Sequence, residues 1–410
     1  MGLKNMIFGR TKDNHVQETK RSKTSNMMMK YHAAGPIFTP RRYDRLADEG
    51  YMKNNIVHRC VKLIAQNAAS VPWKLYRVEQ GKKTALLEHD LLTLLQKPNP
   101  MQGQAEFFEN IFSYYLIAGN SYIEAVGPDG ARPFELWSLR PDRMRILAGR
   151  NAVPHAYRYE VNGQYHDFKI NDMTGDAPIL HLKSFHPLDD YYGASALEAA
   201  AYSIDQHNEA SKWNTSLLQN AARPSGALIY NPKDASMSDR LTDEQRETLK
   251  TELEYYHQSA DHAGSVMVLE GGLDWRDMSL SPKDMDWLAG KDVSARDIAM
   301  AFHVPPQLVG VEGSMTYANF EQARLALYDD AILPLLKHVR DELNKWLTVK
   351  FDTNLMLDFD LDQIEALAPR RERVWKRVQG ASFMTINEKR QVLGLSAIEN
   401  GDQLGQVSDV

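Results

Sequence analysis

Apolar residues recur every three or four positions in some stretches of the chain and every second position in others, and the two periods alternate. From Asn55 to Ser70, Ile56, Cys60, Leu63, Ile64 and Asn67 share one helical face, and the following Val71–Val78 alternates as a strand does. Residues 89–100, HDLLTLLQKPNP, predict a short helix stopped by Pro98 and Pro100. Residues 104–126 predict a buried helix ending near Gly119, then a strand from Ser121 to Val126. FELWSLRPDRMRIL, HAYRYEV, QYHDFKI and APILHLKSF follow as short strands separated by Pro, Gly, Asn or Asp. Helices and strands thus mix from 41 to 196, and the fold class is α+β.

Beyond this region the pattern lengthens. Tyr202–Ala222 continues the Ala-rich 196–201 as one helix of roughly 40 Å. Its middle, with Asp205, Gln206, Asn208, Glu209, Ser211, Lys212, Asn214 and Thr215, is polar nearly all round, so this helix is expected to bridge solvent or pack beside copies of itself. A strand (226–230), a helix capped by Thr242 with Gln245, and two strands (265–280) make a small inserted module. Ser281 with Asp284 and Pro282 opens a return helix to Phe302. Val304-Pro305-Pro306 stops that helix. The loop after it, with Gly310 and Gly313 and little to bury, is free to project. Ala318–Leu347 is a second long helix of roughly 45 Å, with Leu327, Ala331, Leu335, Val339, Leu343 and Trp346 on one face and a kink expected near Ile332 from Pro334. A strand-like LMLDFDL and two short helices ended by Gly380 and Gly394 follow, and residues 400–410 are expected to be disordered.

The helix end LLQKPNP, the turn AGNSYIEAV, the strand LRPDRMRI and the segment YYGASALEAA, in this order and spacing, resemble the portal proteins of tailed bacteriophages of the long-tailed type, including those of prophages and gene-transfer particles. The resemblance covers most of the chain. It implies a basic arm over 1–40, an α/β wing over 41–196, a first stem helix over 197–222 and a clip over 223–281. A second stem helix over 282–303, a tunnel loop with a long wing helix over 304–364, and a helical crown with a C-terminal tail over 365–410 would complete the fold. By the same resemblance the protein is a ring, in the family a dodecamer, at one capsid vertex. Double-stranded DNA would pass through it during packaging and ejection, without sequence-specific contacts. Terminase and a head-tail adaptor would dock on the clip, and the major capsid protein and scaffold would be further partners. It would be assembled in the bacterial cytoplasm, carry no cofactor or metal, and be no enzyme. The tunnel loop would be Gly310, Val311, Glu312, Gly313, Ser314, Met315 and Thr316, and Lys212, Lys291 and Arg296 would be stem residues toward the channel.

Composition narrows the function from another side. A chain of 410 residues suffices for two or three compact units. Its net charge of −6 disfavours a sequence-specific DNA binder, which concentrates Lys and Arg, but suits a conduit in which duplex must slide. The single cysteine, Cys60, excludes an internal disulfide framework and fits a reducing compartment. No signal peptide or membrane-length apolar run is visible. The first 30 residues read as a flexible basic arm, either a solvated tail or a contact to DNA or a neighbouring subunit. The crown cluster Arg370, Arg371, Arg373, Lys376 and Arg377 reads as a solvated or internally paired face, with DNA or the acidic run Asp358, Asp360, Asp362 and Glu365 as its candidate partners. Catalytic signals are weak. Leu288–Asp292 lacks the upstream glycine and the hydroxyl of a phosphate loop. Gly193–Ala196 lacks the second glycine of a nucleophile elbow, so Ser195 is expected to cap a helix. His181 and His186 with Asp189 and Asp190, and His257 and His262, read as structural rather than metal-binding. The alternatives are a hydrolase built around Ser195 and His181, or a non-viral ring scaffold.

Overall fold

Asn54 caps the first long helix: its Oδ1 accepts from the amides of Ile56 and Val57, both at 3.1 Å. The computed structural model describes residues 43–80, 82–128, 132–149, 153–171, 173–219, 226–230, 242, 244, 247, 248, 251, 273–277, 287–311, 316–395 and 397–403. Helix α1 (Asn55–Ala69) buries Val57, Cys60, Val61 and Ile64. It lies against α3 (Gln104–Ala118), whose Phe107, Phe108, Ile111 and Phe112 fill the same core. Between them the chain forms the hairpin β1 (Trp73–Glu79) and β2 (Lys82–Leu86) and the short α2 (Asp90–Gln96), where the His89 ring caps the Leu91 amide. The expected stop at Gly119 holds, with φ of 69°.

Strands β3 (Asn120–Val126), β4 (Glu135–Leu139), β5 (Met144–Ala148), β6 (Pro154–Val161), β7 (Gln164–Lys169) and β8 (Ile179–Lys183) form two antiparallel sheets, ordered β4-β3-β8 and β5-β6-β7. Their facing sides enclose a second small core of Tyr122, Leu139, Met144, Phe168 and Ile179. A third sheet has the order β11-β1-β2, with β11 (Leu355–Phe359) returning from far along the chain to pair Leu357 with Leu75.

A helical turn α4 (Ala196–Ala199) precedes α5 (Ala201–Gln219). The single helix expected here is therefore broken at Ala200, where ψ opens to 3°. Its expected all-polar middle also needs correction. Ala201, Ile204, His207 and Ala210 make a buried stripe within the chain, and α5 packs along α6 (Trp287–Ala301). Small and amphipathic residues supplied that stripe, so a count of charged positions missed it. Strands β9 (Gly226–Tyr230) and β10 (Leu273–Asp277) pair antiparallel. Apart from Thr242, Glu244, Glu247, Thr248 and Thr251, the rest of the inserted module lies outside the described residues, as do Gln245, Ser281 and Asp284 of the two expected caps and residues 1–42 of the basic arm and its junction.

The long helix forms in three parts: α7 (Tyr317–Leu327), a π-helical turn (Tyr328–Ile332) and α8 (Leu333–Trp346). The amide of Leu333 bonds the carbonyl of Tyr328, five residues back. This widened turn places Pro334 in the first turn of α8, where its missing N–H costs no hydrogen bond, so the irregularity falls where the proline predicted it. Leu335, Val339 and Leu343 are buried as expected, and the Tyr328 hydroxyl donates to Asn67 of α1 at 3.1 Å. Helices α9 (Ala368–Gln379) and α10 (Ile386–Val392) follow, and the tail expected to be disordered from residue 400 is instead ordered at its start: Gly401 is buried, its carbonyl accepting from the Asn387 amide at 2.8 Å.

Candidate channel loop and basic surfaces

The two ends of the candidate loop are held by different means. After α6, His303 adopts φ of 54° and a 3-10 turn spans Pro306–Val309. Gly310 follows at φ of 83°, with nothing within 4 Å of where a Cβ would stand, so backbone conformation rather than crowding selects glycine there. Val311 is 4% exposed and joins the main core, and its amide reaches the carbonyl of Pro306 at 3.3 Å. Val311 was expected on the projecting loop; it is instead the buried post on which the loop starts. At the other end Thr316 caps α7, its Oγ1 accepting from Asn319 at 3.3 Å. Glu312, Gly313, Ser314 and Met315 lie outside the described residues. Beyond the cap, Ala318 through Gln322 are all exposed, Phe320 included, and Ala323 after them is buried. Residues 318–322 therefore lie on the surface of the subunit.

The stem candidates sit on the α5–α6 pair. Lys212 is exposed and bonds Glu209 one turn back at 2.8 Å, an ion pair of little energetic weight. Lys291 is half-buried near His207, and Arg296 is exposed. Ser203 donates to Asp297 across the pair at 3.3 Å. His207 Nδ1 accepts from Asn54 Nδ2 at 3.2 Å, and the same amide donates to Asn208 at 2.9 Å. Asn54 Oδ1 is committed to the α1 cap, so this nitrogen must be the donor and His207 must be neutral. Burial, with the Lys291 charge adding to it, holds the His207 pKa below its ordinary value. Nothing local in the sequence distinguishes a buried Asn or His from a solvated one, so this junction is visible only in the fold.

In the crown cluster Arg370 bonds Asp329 of the π-helical turn at 2.9 Å, and Arg373 bonds the Pro369 carbonyl. The acidic run is engaged elsewhere: Asp358 with Arg340 at 3.3 Å and Asp360 with Lys74 at 2.8 Å. It therefore does not serve as the cluster's partner through those two carboxylates. Arg371 is half-buried, while Arg373, Lys376 and Arg377 are exposed.

The candidate catalytic residues have structural uses. Ser195 caps α4, accepting from Leu197 and donating to the Ile117 carbonyl at 2.6 Å. His181 stacks on Tyr122 and bonds Asn120 Oδ1 at 3.0 Å; burial, with Lys183 adding to it, pushes its pKa down to about 3. Neither bonds the other. His186 and Asp189 cap their own loop through the amides of Leu188, Tyr191 and Tyr192. Among the described residues no three His, Cys, Asp or Glu side chains gather as metal ligands, and no helix is long and apolar enough to cross a membrane. His257 and His262 lie outside the described residues. Leu288–Asp292 is helical, part of α6, not a phosphate-binding loop.

Against known families, residues 55–394 match the phage portal protein family. The chain belongs to that family. The portal fold is also seen in the crystal structure of an HK97-family phage portal protein from Corynebacterium diphtheriae, with a TM-score of 0.57 at 14% identity, covering 81% of this chain and 99% of that one. A chain in the neck of a native gene transfer agent particle, computed with C12 symmetry, is 42% identical, with a TM-score of 0.67 and coverage of 92% of this chain and 99% of that one. A Rickettsia bellii protein of uncharacterised role is 42% identical over 88% of this portal chain and 91% of its own length. Portal proteins are structural components of the particle, and conducting DNA is their general function.

Proposed function

We propose that this portal protein forms a twelve-membered ring at the neck of a phage-like gene-transfer particle, with the segment between Val311 and Thr316 riding on double-stranded DNA in its channel. The supporting observation is the anchoring of that segment: a buried valine at one end, a capping threonine at the other, and an exposed helix start beyond it. Val311 and Thr316 thus fix where the chain leaves the core and where it re-enters a helix. The segment's glycine and small polar residues suit contact with DNA lacking a fixed register. Lys212, Lys291 and Arg296 would line the stem. The region 223–281 would receive terminase and then the head-tail adaptor, with the capsid protein and scaffold around the ring. The ring would sit at one capsid vertex, after assembly in the bacterial cytoplasm.

Deleting residues 312–315 and joining Val311 to Thr316 through two glycines tests the loop. The cost in closure entropy is small, about 0.6 kcal/mol per doubling of loop length. Rings of normal size by electron microscopy and a reduced amount of nuclease-protected DNA per particle are expected. Full DNA yield from particles of normal portal content would show that the segment is only a connector. The ring itself should neither hydrolyse ATP nor cut DNA, and an ATPase activity abolished by Lys291→Ala would contradict the non-enzymatic reading.

A further inference from the structure

Helices α8, α9 and α10 and the turn before α9 enclose an open groove of about 410 Å³. Its lining mixes apolar and charged side chains; of the apolar ones, Leu361, Trp375 and Val392 are 41%, 56% and 48% exposed. Lys337, Arg370 and Arg371 also line it, with Asp329 and Asp362. Arg370 is occupied by Asp329. Arg371 and Lys337 have no ion-pair partner among the described residues. The helix forming one wall, α9, carries Arg370, Arg371, Arg373, Lys376 and Arg377 against the single acid Glu372, an excess of four positive charges over its length.

We propose that this groove docks an acidic amphipathic helix of a partner protein. A groove that exposes Leu361, Val392 and a half-exposed tryptophan is the kind of surface that anchors a complementary apolar stripe, since aromatic anchors in pockets dominate interface energy. The basic side chains of the lining then select carboxylates flanking that stripe and reject a basic helix. Twelve residues of α9 span about 18 Å, so three to four turns of partner helix, with apolar residues at i, i+3 or i+4, and i+7, would fill the groove. Duplex DNA complements only half of this surface. Its phosphates answer the arginines, but it offers no apolar ridge for Leu361, Trp375 and Val392, whose exposure it would leave uncompensated. The inference rests on the groove alone, and the outcome of the loop deletion does not bear on it.

The test places a photo-crosslinking p-benzoylphenylalanine at Val392, in the lining, in the full chain within producing cells. The crosslinked species is then read by mass spectrometry. The expected product joins position 392 to a segment of another protein in which carboxylates flank a helical apolar stripe. A synthetic peptide of that segment should bind purified rings in fluorescence anisotropy. Arg371→Glu and Trp375→Ala should each weaken this binding at least about tenfold, equivalent to about 1.4 kcal/mol, and Arg373→Glu, at a residue that does not line the groove, should not. Circular dichroism and ring images establish that each variant is folded. A crosslink to DNA, to a neighbouring copy, to another part of this chain or to a segment without that pattern overturns the proposal. So does a yield no higher than that from the same probe at exposed Met173.

Discussion

Replacing Asn54 with alanine removes one side chain that serves two helices. The cap on α1, two amides at 3.1 Å, is worth about 1 kcal/mol. On the other side, His207 Nδ1 is left without its donor in a site where the residue is 4% exposed, which costs about 1–3 kcal/mol. Asn208 keeps solvent access and adds little. The sum is about 2–4 kcal/mol, read as the displacement of a urea transition at fixed protein concentration, since ring assembly shifts apparent stability. The pH dependence gives a sharper test. The folded pKa of His207 is lowered, so below the unfolded value of about 6.5 the unfolded chain binds the extra proton more readily and wild-type stability falls as pH decreases. Asn54→Asp keeps the cap but faces His207 with a carboxylate, which raises that pKa. Its contribution should be present at low pH and lost as pH rises through the raised value, the opposite slope. Lys291, the charged group acting on His207 from α6, is unchanged in both. Alanine at 54 unfolding at the wild-type midpoint, or aspartate showing the wild-type pH slope, would refute the junction.

Three further outcomes are expected. Leu343→Ala, at a fully buried position of α8, should cost about 2–5 kcal/mol in the same denaturation assay, and a loss under about 1 kcal/mol would mean that the core around it collapses to fill the gap. Gly119→Ala should sharply lower soluble yield, because φ is 69° and the new Cβ would stand 2.5 Å from the Ala194 carbonyl; wild-type yield and melting temperature would show that the turn can move. Burial pushes the Cys60 thiol up to about 12, so native protein at pH 8 should resist a disulfide-exchange reagent and react only after denaturation, and rapid native labelling would contradict the packing of α1 on α3.

Periodicity alone was enough to place α1, α3, β3, the paired strands that follow, and the long helix with its irregularity before Pro334. Each of these signals is local: side chains one turn or two residues apart, a proline lacking its amide, a glycine at a helix end. The motifs LLQKPNP, AGNSYIEAV, LRPDRMRI and YYGASALEAA, read in order, also pointed to the portal family. Tertiary structure decided what joins distant positions. It brought β11 onto β1, turned an apparently all-polar helix into one with a buried stripe, pulled Val311 out of the loop into the core, and joined Asn54 to His207. It also took Asp358 and Asp360 away from the crown arginines and opened the groove beside Trp375. A side chain's chemistry is fixed by its type, but whether it meets water, a partner or the core depends on neighbours that spacing along the chain does not encode.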